Sequence, residues 1–179
     1  MTDDEFVAFC QQYEDCFVEC TAEGEIIITP PNYSRTGKHN LTLGAQLWMW
    51  AKKDGHGEAY DSSAGFRLAN GARRSPDASW TRKDRAAALP KEQKKRFYYL
   101  CPDFVIELRS TTDRIRRLKA KMEEYIANGA ELGWLIDPEE RNVWIYRPGC
   151  AAECIVNPER ISGEGPVASF VLELADVWA

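Results

Sequence analysis

The sequence predicts an α+β protein, built on a mixed β-sheet flanked by helices and preceded by an N-terminal β-hairpin. Three observations predict this class: short runs rich in β-branched and aromatic residues, longer segments with apolar residues at helical spacing, and turn-forming residues between them. The chain has 179 residues, of which 44% are apolar. Because a domain holds roughly 150 residues, we expect a single domain over residues 1–179.

The N-terminal region predicts a short helix followed by a hairpin. Thr2–Glu5 has the capping-box pattern, and Phe6–Tyr13 carries apolar residues at helical spacing. Two β-rich segments, Phe17–Thr21 and Glu25–Thr29, then flank Gly24. A glycine between two such segments is typical of the turn of a β-hairpin.

The middle of the chain predicts a second helix and three strands. Leu43, Leu47 and Ala51 mark an apolar helical stripe that ends near Gly55. Strands follow around Tyr60, at residues 66–68 before an Asn-Gly turn, and directly after residue 77.

A central strand, a third long helix and a final hairpin complete the prediction. Pro102–Arg109 is a short β-branched run that favours a buried strand. Ile115–Ile126 carries an apolar stripe at helical spacing, and Gly129 ends that helix. Trp134–Ile136 and Val143–Tyr146 then form two strands around a turn.

Charge is divided unevenly along the chain. Residues 67–121 contain 16 Lys and Arg against 6 Asp and Glu, a net charge of +10, whereas the rest of the chain carries −15. Such asymmetry predicts one basic face that attracts a polyanion such as DNA, on an otherwise acidic body.

Composition excludes several classes of protein. The aromatic and aliphatic content is too high for a disordered chain, and no apolar run approaches the ~18 residues of a membrane span. The acidic N-terminus lacks the features of a signal peptide, so we expect a cytoplasmic protein with reduced cysteines. No glycine-rich phosphate loop is present, and we expect no organic cofactor.

The candidate chemistry lies on two strands. Asp103, Glu107 and Arg109 share one face of their strand, because side chains alternate between faces. Taken alone, Glu107 and Arg109 favour a structural ion pair at a strand end. Asp77 follows Pro76 at the head of another strand, and two carboxylates from neighbouring strand ends suit a hard cation such as Mg²⁺.

Pro76-Asp77 followed by Glu107-x-Arg109 resembles the signature of the PD-(D/E)xK restriction-endonuclease-like superfamily. The chain resembles most closely one large bacterial family of restriction-endonuclease-like proteins within it. The segments that carry this likeness are 17–31, 65–68, 74–80, 101–110, 121–125 and 129–148. The resemblance implies the restriction-endonuclease-like fold and a metal-dependent endonuclease that hydrolyses DNA, with Mg²⁺, or else Mn²⁺, as cofactor.

The resemblance also implies four catalytic residues and a metal site. The catalytic residues are Glu19, Asp77, Glu107 and Lys121, and the metal ligands are Asp77 and Glu107. The superfamily lysine stands two residues after the glutamate, where this chain has Arg109. The family takes its lysine from the following helix, four residues before a tyrosine, which is the position of Lys121. Lys119 and Arg109 stay open as alternatives.

Basic residues near this site predict contacts to the DNA backbone. They are Arg73, Arg74, Arg82, Lys83, Arg109 and Arg114. Trp80 is a candidate for stacking on a base. The expected partner is DNA, and a homodimer is left open. The alternative interpretation, favoured by the missing Glu-x-Lys lysine and the overall acidity, is a catalytically inactive nuclease fold that binds nucleic acid or associates with itself.

Overall fold

The computed structural model describes residues 1–179, with five α-helices and twelve β-strands. The helices are α1 (Asp3–Cys10), α2 (Ser34–Asp54), α3 (Lys83–Ala88), α4 (Ile115–Ala127) and α5 (Ala175–Trp178). The first six strands are β1 (Phe17–Cys20), β2 (Ile26–Thr29), β3 (Gly57–Asp61), β4 (Phe66–Arg67), β5 (Arg73–Arg74) and β6 (Ala78–Arg82). The others are β7 (Phe104–Leu108), β8 (Leu132–Asp137), β9 (Asn142–Tyr146), β10 (Glu153–Val156), β11 (Arg160–Ser162) and β12 (Val171–Glu173). Two short 3₁₀ turns lie at Lys91–Lys94 and Gly165–Val167.

A six-stranded mixed sheet forms the centre of the molecule, with strand order β10-β9-β8-β7-β6-β3. Only the β7–β8 pair is parallel, and α4 makes the crossover between these two strands. All five residues of β7 are buried, which explains why the run is apolar except for Glu107. The predicted α+β class, a mixed sheet with flanking helices, is confirmed.

The strand β7 divides two hydrophobic cores. Phe104, Ile106 and Leu108 belong to the larger core, which also includes the buried face of α2. Val105 belongs to the smaller core, with the apolar stripe of α4. The alternation of side chains predicted for this strand is therefore confirmed, and Glu107 lies on the side of α4.

The N-terminal hairpin packs as part of a second, four-stranded sheet of order β2-β1-β5-β4. Gly24 adopts a φ of 89°, a conformation that side chains disfavour, and it lies in the turn between β1 and β2. Thr2 and Glu5 form the predicted capping box, but α1 ends at Cys10 and does not reach Tyr13.

Several short elements were not predicted from the sequence, namely α3, α5, β5 and the strands from β10 to β12. They have too few residues to develop a clear periodicity, and β10 and β11 are largely exposed. No helix combines the length and the apolar character needed to cross a membrane.

Candidate active site

One cavity of about 310 Å³ lies where the C-terminal end of β7 meets the hairpin and α4. Its lining includes all four residues predicted to be catalytic: Glu19 on β1, Asp77 before β6, Glu107 on β7 and Lys121 on α4. They come from four separate segments of the chain, and the β1–β5 and β6–β7 pairings bring these segments together.

Lys121 lies between two glutamates. Its Nζ is 2.9 Å from Oε1 of Glu19 and 2.8 Å from Oε1 of Glu107. Leu118, Met122 and Tyr125 anchor α4 in the smaller core, which places Lys121 at the edge of that apolar stripe and above β7. The side chain of Lys121 is only 13% exposed. The ammonium group is thus held by tertiary contacts rather than free in solvent.

Glu107 has a further hydrogen bond from the same helix. The Tyr125 hydroxyl donates to Oε1 of Glu107 at 3.0 Å, and both side chains are buried. In the sequence, Tyr125 is a member of the apolar stripe and the tyrosine four residues after Lys121. This spacing on one helix was the available sign that both side chains could reach the same carboxylate.

Asp77 is held at both carboxylate oxygens. Oδ2 accepts from the backbone N–H of Leu108 at 2.8 Å, and Oδ1 accepts from Nδ2 of Asn40 at 3.1 Å. Asn40 lies on α2, far from the motif residues in sequence, and no pattern in the sequence pointed to it. These two hydrogen bonds fix Asp77 next to the end of β7.

Glu19 connects the hairpin to the site. Its Oε1 accepts from the backbone N–H of Ser75 at 2.8 Å as well as contacting Lys121. Its Oε2 lies 3.6 Å from a guanidinium nitrogen of Arg74. Glu19 therefore has two cationic neighbours and one backbone donor.

Burial governs the electrostatics of the site. Burial raises the pKa of Glu107, and the negative charges of Asp77 and Glu19 raise it further, while Lys121 opposes the shift. Burial also raises the pKa of Asp77, against the hydrogen bond from Leu108. For Lys121, burial alone would lower the pKa, but Glu107 and Glu19 outweigh it and raise the pKa.

The carboxylates do not form a closed metal site. No group of three or more His, Cys, Asp or Glu side chains is arranged to hold a metal ion. Asp77 and Glu107 nevertheless present hard oxygen donors to one cavity, and Mg²⁺ is commonly bound in proteins through only one or two carboxylates.

Two of the arginines predicted to contact DNA are buried. Arg73 is 4% exposed, and its guanidinium binds Asp3 and the carbonyl oxygen of Met1. Arg74 binds Glu124 at 2.6 Å and approaches Glu19. Arg73 does not line the cavity, so its predicted phosphate contact is withdrawn, whereas Arg74 lines the cavity and remains a candidate for phosphate contact.

Arg82 and Lys83 lie at the other end of the sheet. Because β6 and β7 are antiparallel, Arg82 pairs with Asp103 at the start of β7, whereas Glu107 is near its end. Arg82 also binds Glu131, and Lys83 donates to the carbonyl oxygen of Gly55. Neither residue lines the cavity, so their predicted contact with DNA at this site is also withdrawn.

Arg109 forms a different ion pair from the one that strand spacing favours. Its guanidinium binds Asp137, which is 1% exposed, at 2.6 Å, and Glu107 binds Lys121 instead. Arg109 does not line the cavity.

Unpaired basic residues occur at the start of α4. Arg114 and Arg117 are both exposed and have no acidic partner, and Arg117 lines the cavity. Arg117 was not among the predicted contacts, although it precedes Lys121 by four residues and so shares its helix face. Trp80 is 1% exposed and is not available to stack on a base.

Comparison with known proteins agrees with the resemblance drawn from the sequence. A family model described as "Uma2: Putative restriction endonuclease" matches residues 3–175. A solved structure from Anabaena variabilis ATCC 29413, described as "a putative nuclease belonging to DUF820", matches with a TM-score of 0.76 and 22% identity, covering 90% of this chain and 89% of that chain. At this identity the match shows a shared fold. No curated protein matches the chain.

Proposed function

The chain belongs to the Uma2 family, described as "Putative restriction endonuclease", and from this premise we propose that it is a divalent-metal-dependent endonuclease acting on DNA. We propose one restriction-endonuclease-like domain over residues 1–179. The observation that carries the proposal is the position of Lys121, which lies within 3 Å of both Glu19 and Glu107 in the cavity that holds Asp77. An acidic pair can hold a catalytic metal ion and a lysine can stabilise developing negative charge, which together support phosphodiester hydrolysis.

Asp77 and Glu107 are the residues that would hold a hard cation, Mg²⁺ or Mn²⁺. The donor chemistry fits, because two buried carboxyls that disfavour their charged forms gain a counterion when a cation binds. When bound, the cation supplies Lewis-acid chemistry by polarising a phosphoryl oxygen and lowering the pKa of water. Water and phosphate oxygens would provide the remaining ligands.

Lys121 is the proposed catalytic lysine. Its ammonium group would stabilise the charge that develops on the phosphate or orient the attacking water. Glu19 would act as a positioning residue, since it binds Lys121 and is itself fixed by the backbone of Ser75. Arg114 and Arg117 would contact backbone phosphates beside the cavity, since both are exposed and unpaired.

The test is a cleavage assay on duplex, single-stranded and branched DNA with Mg²⁺ or Mn²⁺, comparing the wild type with Asp77→Ala. We expect metal-dependent products from the wild type only. Salt-dependent binding of DNA with no product beyond that of Asp77→Ala on any substrate would instead favour the inactive binding module. A protein that neither binds nor cleaves any of these substrates would contradict both the endonuclease and the DNA-binding module, and would favour self-association.

A further inference from the structure

A second cavity, of about 700 Å³, adjoins the active site, and Asp77 lines both cavities. One wall is the outer face of α2, with Leu41, Gly44 and Trp48, and the opposite wall is β3 with the turn that follows it. Asp77 therefore stands at the boundary between two spaces, and a group bound at this carboxylate can extend into either.

The two cavities differ in chemistry. The first contains the basic side chains of Arg74, Arg117 and Lys121 among its carboxylates. The second contains no basic side chain, and its only charged residues are Asp61 and Asp77. Phosphate groups are therefore disfavoured in the second cavity, whereas an uncharged, flat and partly apolar group suits it.

Trp48 is an aromatic side chain outside the core, and its ring has one recorded contact in the fold, Nζ of Lys52 at 5.6 Å from the ring centroid. It is 54% exposed, and its neighbour in the cavity, Leu41, is 73% exposed. The opposite face of α2 packs in the larger core through Leu43 and Leu47. In contrast, Trp50 contacts Trp80 and Phe170 and is part of that packing.

We propose that the second cavity binds an unpaired nucleobase of the substrate, stacked on Trp48, next to the phosphate held at Asp77. This proposal rests on the proposed nuclease function and deepens it by naming the substrate class. Along a nucleic-acid strand each phosphate is flanked by a nucleoside, so a strand whose phosphate binds at the boundary places a base in one of the two cavities. Stacking on an aromatic side chain is independent of base identity, since every base has a π-face.

The hydrogen-bonding groups of the cavity agree with a base. Oδ1 of Asp61 accepts from the backbone N–H and the hydroxyl of Ser63, which orients the carboxylate. Its other oxygen, Oδ2, has no partner in the protein and can accept from the amino group of a base. A paired base in a duplex cannot reach this position, so the substrate must contain a single-stranded, flapped or extruded nucleotide here.

The first experiment measures binding of a labelled single-stranded 15-mer in Ca²⁺, by fluorescence anisotropy, so that no cleavage is required. We expect Trp48→Ala to weaken binding about 5- to 150-fold, the range that corresponds to the loss of stacking on one base. The matched control is Met49→Ala, which removes a side chain of the same helix that is 59% exposed but outside the cavity. This control should bind as the wild type does.

A second variant places a bulky side chain in the cavity without disturbing the fold. A Cβ at Gly44 meets no atom within 4 Å, and this helical position accepts other residues. Gly44→Leu should therefore fold normally and weaken single-strand binding as Trp48→Ala does. A single abasic site is then moved along the 15-mer. At one position it should weaken binding by the wild type, and at that position it should not weaken binding by Trp48→Ala any further.

The outcomes separate the two proposals. Equal binding by wild type, Trp48→Ala and Gly44→Leu would overturn the base-binding inference, even if metal-dependent cleavage is observed. Loss of binding in both variants, in a protein that cleaves no substrate, would support base binding while contradicting the nuclease function. If Trp48→Ala changes only the sedimentation coefficient, from that of a dimer to that of a monomer, a second copy covers this face and the inference is wrong.

Discussion

The Nζ atom of Lys121 lies 2.8 Å from Oε1 of Glu107, although one residue is on α4 and the other on β7. The position two residues after Glu107 is taken by Arg109, whose guanidinium binds Asp137 instead. The ammonium group in the cavity thus comes from the helix that crosses from β7 to β8, and Arg109 on the strand side has a separate partner.

This relationship predicts that Lys121→Met lowers kcat about 10²- to 10³-fold, since the ammonium acts on charge that develops in the transition state. Affinity for DNA in Ca²⁺ should change little. Lys119→Met is the matched control, because Lys119 lies on the same helix over the ring of Trp144 and outside the cavity. Full activity of Lys121→Met, with loss of activity in Arg109→Ala, would assign the role to the strand residue. Circular dichroism checks that each variant is folded.

A divalent cation that binds at Asp77 and Glu107 should raise the thermal stability of the protein. At ten times its Kd, a cation that binds only the folded state stabilises it by about 1.4 kcal/mol, which is about 3–6 °C for a chain of this size. Differential scanning fluorimetry with Mn²⁺ should show this shift in the wild type and not in Asp77→Asn. Glu123→Gln, an exposed carboxylate on α4, should behave as the wild type. A shift that survives in Asp77→Asn would place the cation elsewhere.

Replacing Arg117 and replacing Arg109 should affect different properties, DNA binding in the first case and fold stability in the second. Arg117→Ala should weaken DNA binding and reduce the slope of log K against log salt by about 0.9, the value for one phosphate contact. Arg109→Ala should leave that slope unchanged and destabilise the fold by about 3–5 kcal/mol, because Asp137 then loses the partner of a buried charge. Salt titrations and urea unfolding measure the two quantities. A changed slope in Arg109→Ala would mean that this residue contacts phosphate after all.

The buried His39 on α2 should make the free energy of unfolding depend on pH. Burial lowers its pKa, and the positive charges of Arg35 and Lys38 add to this effect, with Glu139 opposing it. When the pH falls below about 6.5, the ordinary pKa of histidine, His39 becomes protonated in the unfolded chain more readily than in the folded chain. The contribution of His39 to the free energy of unfolding should therefore fall with decreasing pH, by at most about 1.4 kcal/mol per pH unit.

The measurement is urea unfolding between pH 7.5 and 5, comparing the wild type with His39→Gln. The difference between the two free energies should shrink as the pH falls below about 6.5, because the variant lacks the titrating group. Curves that stay parallel over this range would show that His39 charges equally well in the folded and unfolded chains.

Local patterns in the sequence were sufficient to predict the class of the fold, the hairpin around Gly24, the buried strand containing Glu107 and the stripe of α4. Each depends on periodicity and turn chemistry, which act over a few residues. The resemblance added Glu19 and Lys121 to the acidic pair, and the structure places both in the cavity with Asp77 and Glu107.

The partners of the charged and aromatic residues were decided only by the tertiary structure. Helical or strand spacing predicts the face on which a side chain lies, but it carries no information about the segment packed against that face. Arg73 and Arg109 therefore looked like DNA contacts and proved to be buried or paired with Asp3 and Asp137. For the same reason Trp80 is enclosed by the core, while Trp48, on the outer face of α2, lies beside Asp77 in a shared cavity. Charge pairing and burial depend on distances across the folded chain, and only the assembled sheets and helices set those distances.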